Sequence, residues 1–316
     1  MPPLRSSVFR FLKGVDVKQI PFLGWDNCIQ LSNQQIELVV TANVGPRIIH
    51  FGFVSDENVF ATFPNQLGRT GDAEWQNYGG HRFWLAPEQM PRTYYPDNNP
   101  VTVEDHGTFV RFTAPVETTT RMQKTMDIAL DPNAAKVTVT HTVQNLNPWT
   151  VELAPWALSV MAAGGTAVLP LPPRGSHADN LLPTGHLITW AYTNMADSRW
   201  TWGEQYILLR QDRKATTPQK IGSNNTAGWL GYVRDGRFFL KQFALHNPQA
   251  TYPDRNSSTE LYTDSNILEL ESLAPLVQLQ PNASASHTET WQLFNNVPTP
   301  QNDADVVTHL LPKSNR

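Results

Sequence analysis

Residues 77–101, NYGGHRFWLAPEQMPRTYYPDNNPV, crowd together side chains that bind or transform polar ligands: His81, Arg82, Trp84, Glu88, Arg92, Tyr94, Tyr95 and Asp97. An arginine offers a planar fork of donors suited to a carboxylate or phosphate. Tyrosine and tryptophan combine an apolar face with a polar tip, the pairing that a sugar ring presents in reverse. Gly79 and Gly80 let the backbone turn tightly beside a ligand. Four prolines and no clear periodicity suggest an irregular loop. In the plainer reading, Arg82 and Arg92 pair with Glu88 and Asp97 and only pin that loop.

A second group lies near the C-terminus. In NILELESL, Glu269 and Glu271 stand two residues apart and so share one face of a strand. Carboxylates placed so closely raise one another's pKa, which suits a general acid or base; otherwise both face solvent. Glu260, in SSTELYT, is a weaker candidate of the same kind. The nine histidines contain no His-x-His or His-x-x-x-His spacing, so no transition-metal site is expected. No cofactor is expected, although a calcium ion held by loop carboxylates is compatible with the sequence.

The elements that position these groups read as strands. QIELVVTANV, RIIHFGFV, TFVRFTAPVE, KVTVTHTVQNL, YILLRQD and WLGYVRDGRFFLKQFAL show period-two apolar spacing or β-branched and aromatic enrichment. Asp235-Gly236 between strand-like flanks predicts a tight hairpin. NMADSRWTWGEQY is the one stretch with helical character. No 20-to-50-residue repeat and no linker divides the 316 residues. The expected organisation is an N-terminal extension over 1–24, one all-β domain over 25–296 built as a large twisted sandwich, and a polar, disordered tail over 297–316.

Several classes are excluded. A net charge of -4 with 16% charged residues does not suit a phosphate backbone or an anionic membrane. No apolar run is long enough to span a bilayer, and no signal peptide is visible, so a soluble cytoplasmic protein is expected. Cys28 is the single cysteine, read as a buried apolar residue. Nothing in the sequence sets the oligomeric state.

Three stretches resemble the galactose-mutarotase-like superfamily. WDNCIQLSNQQIELVVTANVGPRIIHFGF is similar to its opening strands, NYGGHRFWLAPE to its histidine- and arginine-bearing loop, and NILELESLAPLVQLQPNASASHTETWQLF to its closing pattern. The GGHR-x-W-x-APE string places the closest likeness in an uncharacterised branch. The resemblance implies a sugar or oligosaccharide ligand on a concave sheet face and aldose 1-epimerase-like chemistry. Glu271 matches the general base. His81 and Arg47 match sugar-binding groups, with Arg82, Trp84, Glu88, Arg92, Tyr94, Tyr95 and Glu269 as further candidates.

One departure stands out. Where the epimerases carry an acid histidine, this chain reads Pro155-Trp156-Ala157, which leaves His81, Glu88 or Tyr95 as proton donors. Two other readings therefore stay open: cleavage of a uronate-containing glycan, and sugar binding without catalysis. Trp156, Trp200 and Trp202 extend an aromatic platform or fill the core. His141, alternating with Val137, Val139 and Val143, belongs to a core face, and Lys241 reads as a sheet-edge cation.

Overall fold

The computed structural model describes residues 14–314. In Met122–Leu130 and Lys136–Asn145 every second side chain is buried and the rest are half-exposed, the signature of strands with one wet face. They belong to a 10-stranded antiparallel sheet whose centre runs through Trp229–Arg234, Arg237–Phe243 and Ser284–Phe294. The facing sheet has 11 strands and carries His81–Ala86, Val151–Met161, Leu268–Leu273, Thr259–Thr263 and Gln219–Ser223 side by side. The chain is a large all-β sandwich.

Between the sheets lies one main core. Phe51, Phe60, Phe239 and Trp291 pack with ring centroids 5.7 to 6.2 Å apart, mostly edge to face. The Asp235-Gly236 hairpin forms as expected, both residues having positive φ between Arg234 and Arg237.

Four expectations are corrected. His81–Ala86 is a central strand and not loop; all six of its residues are buried because the other sheet covers one face and Trp75 and Tyr94 pack over the other, which erases the alternation. The supposed N-terminal extension supplies the edge strand Asp16–Phe22, paired to Trp25–Ser32, while residues 1–13 lie outside the described part. Residues 194–206 hold turns and the short strand Trp200–Trp202, with no helix. The C-terminal segment is ordered to residue 314: Val297, Val306 and Leu310 are buried against Tyr206, Trp229 and Phe238. Among the described residues, no helix is long and apolar enough to cross a membrane.

Candidate functional site

Strand alternation sorts the side chains of the 11-stranded sheet into an inner and an outer set. Across its outer face one row runs Arg82, Leu158, Glu271, Glu260. The next runs Val160, Glu269, Tyr262, Lys220. Trp84 stands opposite Trp156. Loops rising around these rows enclose a cleft of about 440 Å³, lined among others by Trp75, Arg82, Trp84, Glu88, Tyr94, Trp156, Lys220 and Glu269.

The walls of the cleft are aromatic. Trp75, Trp84 and Tyr94 touch one another with centroids 4.9 to 5.4 Å apart, and Trp84 meets Trp156 at 5.3 Å. Among the described residues two cations reach the cleft. The Arg82 guanidinium lies 4.3 Å from the centroid of the Trp84 ring and donates to Glu269 Oε1 at 2.8 Å. Lys220 Nζ lies 2.6 Å from Glu260 Oε2 and 3.2 Å from Glu271 Oε2, between the rings of Trp156 and Trp190.

Glu271 is fully enclosed below the cleft floor. Its Oε2 accepts from Trp156 Nε1 at 2.9 Å as well as from Lys220, and its Oε1 has no partner among the described residues. Burial pushes the Glu271 carboxyl up, against the pull of Lys220. Burial pushes Glu260 well above the carboxylate range; Lys220 opposes this and the neighbouring Glu271 adds to it. Burial disfavours the Lys220 ammonium, but Glu260 and Glu271 more than offset that, so its pKa rises well above the usual lysine value. Among the described residues three carboxyl groups thus surround two cations, and burial raises the pKa values of both members of the Glu260–Glu271 pair.

The structure gathers only some of the residues expected at a site. Arg82, Trp84, Glu88, Tyr94 and Glu269 line the cleft, with the Tyr94 hydroxyl bonded to Glu88. His81 does not: alternation turns it inward, fully buried. Arg47, also fully buried, holds the carbonyls of Gln76 and Asn77 and the Asp97 carboxylate, and so pins the loop instead of meeting a ligand. Arg92 donates to the carbonyls of Pro87 and Glu152, and Tyr95 bonds Thr118, both outside the cleft. Gly79 and Gly80 are needed for backbone and not for a ligand: a Cβ there would stand 2.1 Å from the Ala61 carbonyl and 2.3 Å from that of Ile48. Trp200 and Trp202 stack on each other in the other sheet.

Lys220 is the cleft residue that sequence reading missed. In TTPQKIGSNN it is one lysine in a five-residue strand, and no local pattern separates it from a surface cation. Trp75, Tyr192 and Tyr262, also lining the cleft, come from segments with no marked spacing.

Behind the cleft, between the sheets, lies a second polar cluster. Lys241 is not at an edge; it is fully buried, 2.7 Å from Glu289 Oε1, and donates to the carbonyls of Ala157 and Leu270. His81 Nε2 is 2.7 Å from His141 Nε2, His81 Nδ1 2.9 Å from Ser159 Oγ, and His141 Nδ1 3.0 Å from the His287 carbonyl. His81, His141 and Glu289 could in principle converge on a metal ion. However, two nitrogens on one tetrahedral zinc stand about 3.3 Å apart given its usual bond lengths. The 2.7 Å separation is a hydrogen-bond length. Trp291 and Lys241 already serve the two Glu289 oxygens. The donor set fits a closed hydrogen-bond network and does not fit a metal centre.

With this geometry in view, comparison with solved structures shows the fold. A provisionally named aldose 1-epimerase from Klebsiella pneumoniae superposes with a TM-score of 0.59 at 11% identity, over 93% of this chain and 85% of that one. A galactose mutarotase-like protein from Lactobacillus casei gives 0.54 at 10% identity, over 85% and 100%. A TPR-domain containing protein from Parabacteroides distasonis gives 0.56 at 12% identity over 86% of this chain, which spans about half (48%) of that protein. No family model and no curated protein matches the chain. The fold is that of the galactose-mutarotase-like proteins, reached here at identities that speak for architecture and not for activity.

Proposed function

We propose that the protein binds a carbohydrate in the aromatic-walled cleft, and that the ring it recognises there is uncharged. The observation that supports this is the pairing of both cations that reach the cleft: Arg82 is matched by Glu269, and Lys220 by Glu260 and Glu271. A uronate or sugar phosphate entering this space finds no spare positive charge among the described residues, and more acidic than basic side chains lining it. Hydroxyls and C–H faces find paired charges as donors and acceptors and rings to stack on. The acidic-glycan reading is therefore the weaker one.

Ordinary mutarotation needs a base and an acid on neighbouring sugar oxygens. The residue at the base position, Glu271, is enclosed, and the residue at the acid position, Trp156, donates to it. This favours binding without that chemistry. A second reading has one observation behind it: Glu269 and Lys220 both line the cleft, and in this reading the epimerase-like base and acid roles fall to them.

A thermal-shift screen with neutral hexoses, uronates and sugar phosphates, followed by NMR of anomeric exchange, tests both. Stabilisation by a neutral sugar that Trp84→Ala removes is expected. Preferential stabilisation by the charged sugars would overturn the proposal. Accelerated anomer exchange that Glu269→Gln abolishes would establish the second reading.

A further inference from the structure

The cleft does not end at its own walls. Phe63 and Ile267, which line it, also line a second cavity of about 640 Å³. The shared wall is held firmly. Phe63 N donates to the Tyr78 carbonyl at 3.2 Å, and the chain before it is tied down where Ala61 N meets the Val160 carbonyl and Gly80 N meets that of Ala61. Ile267 is buried, its N–H bonded to Asp264 Oδ1 and its carbonyl to Thr263 Oγ1. The two cavities thus adjoin, two halves on either side of one apolar saddle formed by Phe63 and Ile267.

The second half differs from the first in offering unpaired donors. Phe63 and Ala163 give it apolar surface. Above that surface stand Thr62, Ser265, Asn266 and Arg213, whose side chains make no hydrogen bond or ion pair among the described residues. Asn266 and Arg213 are exposed, so water serves them in the free protein. Free amide, hydroxyl and guanidinium donors over an apolar floor match what a pyranose displays, and a single ring cannot fill both halves, each of which is as large as an ordinary small-molecule site.

We propose that the ligand is an oligosaccharide lying across the Phe63–Ile267 saddle, with one neutral ring in the aromatic cleft and at least one further sugar unit in the second cavity against Asn266 and Arg213. This rests on the sugar-binding reading of the cleft. It also accounts for the enclosure of Glu271: a ring joined to the rest of a glycan through its anomeric carbon has no free anomeric hydroxyl for a base to act on.

The test compares glucose, galactose and mannose with their β-1,4-linked di- and trisaccharides by calorimetric titration of the full chain, using Asn266→Trp to fill the second cavity and Arg213→Ala to remove a donor. One series should bind at least about tenfold more tightly as the di- or trisaccharide than as the hexose. Asn266→Trp should remove that gain, and Arg213→Ala should reduce it. A hexose that binds with no gain from further units overturns this proposal alone, as does a gain that both variants leave intact. Failure of every sugar to bind overturns it together with the reading of the cleft.

Discussion

Trp156 and Glu271, on neighbouring strands, close on each other: the indole Nε1 donates to Oε2 at 2.9 Å, and Leu158, two residues along from Trp156, stands directly opposite Glu271. A tryptophan here works as a lid on a buried carboxylate. Trp156→Phe keeps the ring and removes the donor. Loss of a hydrogen bond to an acidic group should cost about 1–3 kcal/mol, read by urea denaturation, with sugar binding in the cleft largely retained. Unchanged stability would show that this bond does not hold Glu271.

The interior pair Lys241 and Glu289 is a sharper case, since both are fully buried and 2.7 Å apart. Lys241→Met leaves a carboxylate stranded between the sheets, which should cost about 3–5 kcal/mol. Adding Glu289→Gln removes the stranded charge and should restore a large part of that loss. Additive penalties in a double-mutant cycle would contradict the direct pairing.

Why the sequence showed one of these pairs poorly and much of the fold well follows from what each element faces. Lys136–Asn145 is wet on one side, so its alternation is visible and His141 is legible as an inward residue. His81–Ala86 and Leu268–Leu273 are covered on both faces, so every position is buried and the period disappears. With the period gone, nothing in GGHRFW says that Arg82 points to the cleft and His81 away from it. Lys241 and Lys220 are hidden for a different reason. A buried lysine depends on carboxylates 48 and 40 or more residues away in the chain, at Glu289 and Glu260, and only the folded sheets bring them together. The cleft's glutamates were legible through their spacing, but not which one is sealed.

The histidine network predicts an acid-sensitive fold. Burial lowers the pKa values of His81, His141 and His287, that of His287 to about 4. Unfolded, these residues take up protons below about pH 6.5; folded, His287 stays neutral down to about 4. Between these values the unfolded chain binds more protons, so stability rises with pH and is lost as pH falls, by up to about 1.4 kcal/mol per unit for each histidine. Glu260 and Glu271 act in the opposite sense: their raised values add stability at low pH that is lost as pH climbs from the ordinary carboxylate range up to the folded value. Comparison with a variant isolates one group. The penalty of His287→Gln should shrink as pH is lowered from 7 to 4.5, and a constant penalty would show that His287 titrates alike in both states.

Gly80 joins the fold to the groove. It has φ of 73°, its amide bonds the Ala61 carbonyl, and a Cβ would stand 2.3 Å from the Ile48 carbonyl. Gly80→Ala must displace backbone and not a flexible side chain, which should cost about 1–3 kcal/mol. Because the Gly80 amide also holds the Ala61 carbonyl, two residues before Phe63, sugar binding should weaken along with stability. A variant as stable as the parent would mean that this close approach is not made.

The paired charges of the cleft make a last prediction about binding itself. If Arg82 is matched by Glu269 and the ligand ring is uncharged, affinity should barely change between 50 and 500 mM salt, because no net charge is screened when the ligand enters. Arg82→Lys keeps the charge but loses the planar stack, 4.3 Å from the Trp84 ring centroid, and the fork aimed at Glu269. Binding should fall by about tenfold, with the salt dependence still flat. Arg82→Met leaves Glu269 unpaired in a nearly closed space and should weaken binding further while lowering stability. A steep salt dependence in the parent protein, reduced in Arg82→Met, would instead mean that Arg82 leaves Glu269 to meet an anionic group, and that the acidic-glycan reading is the correct one.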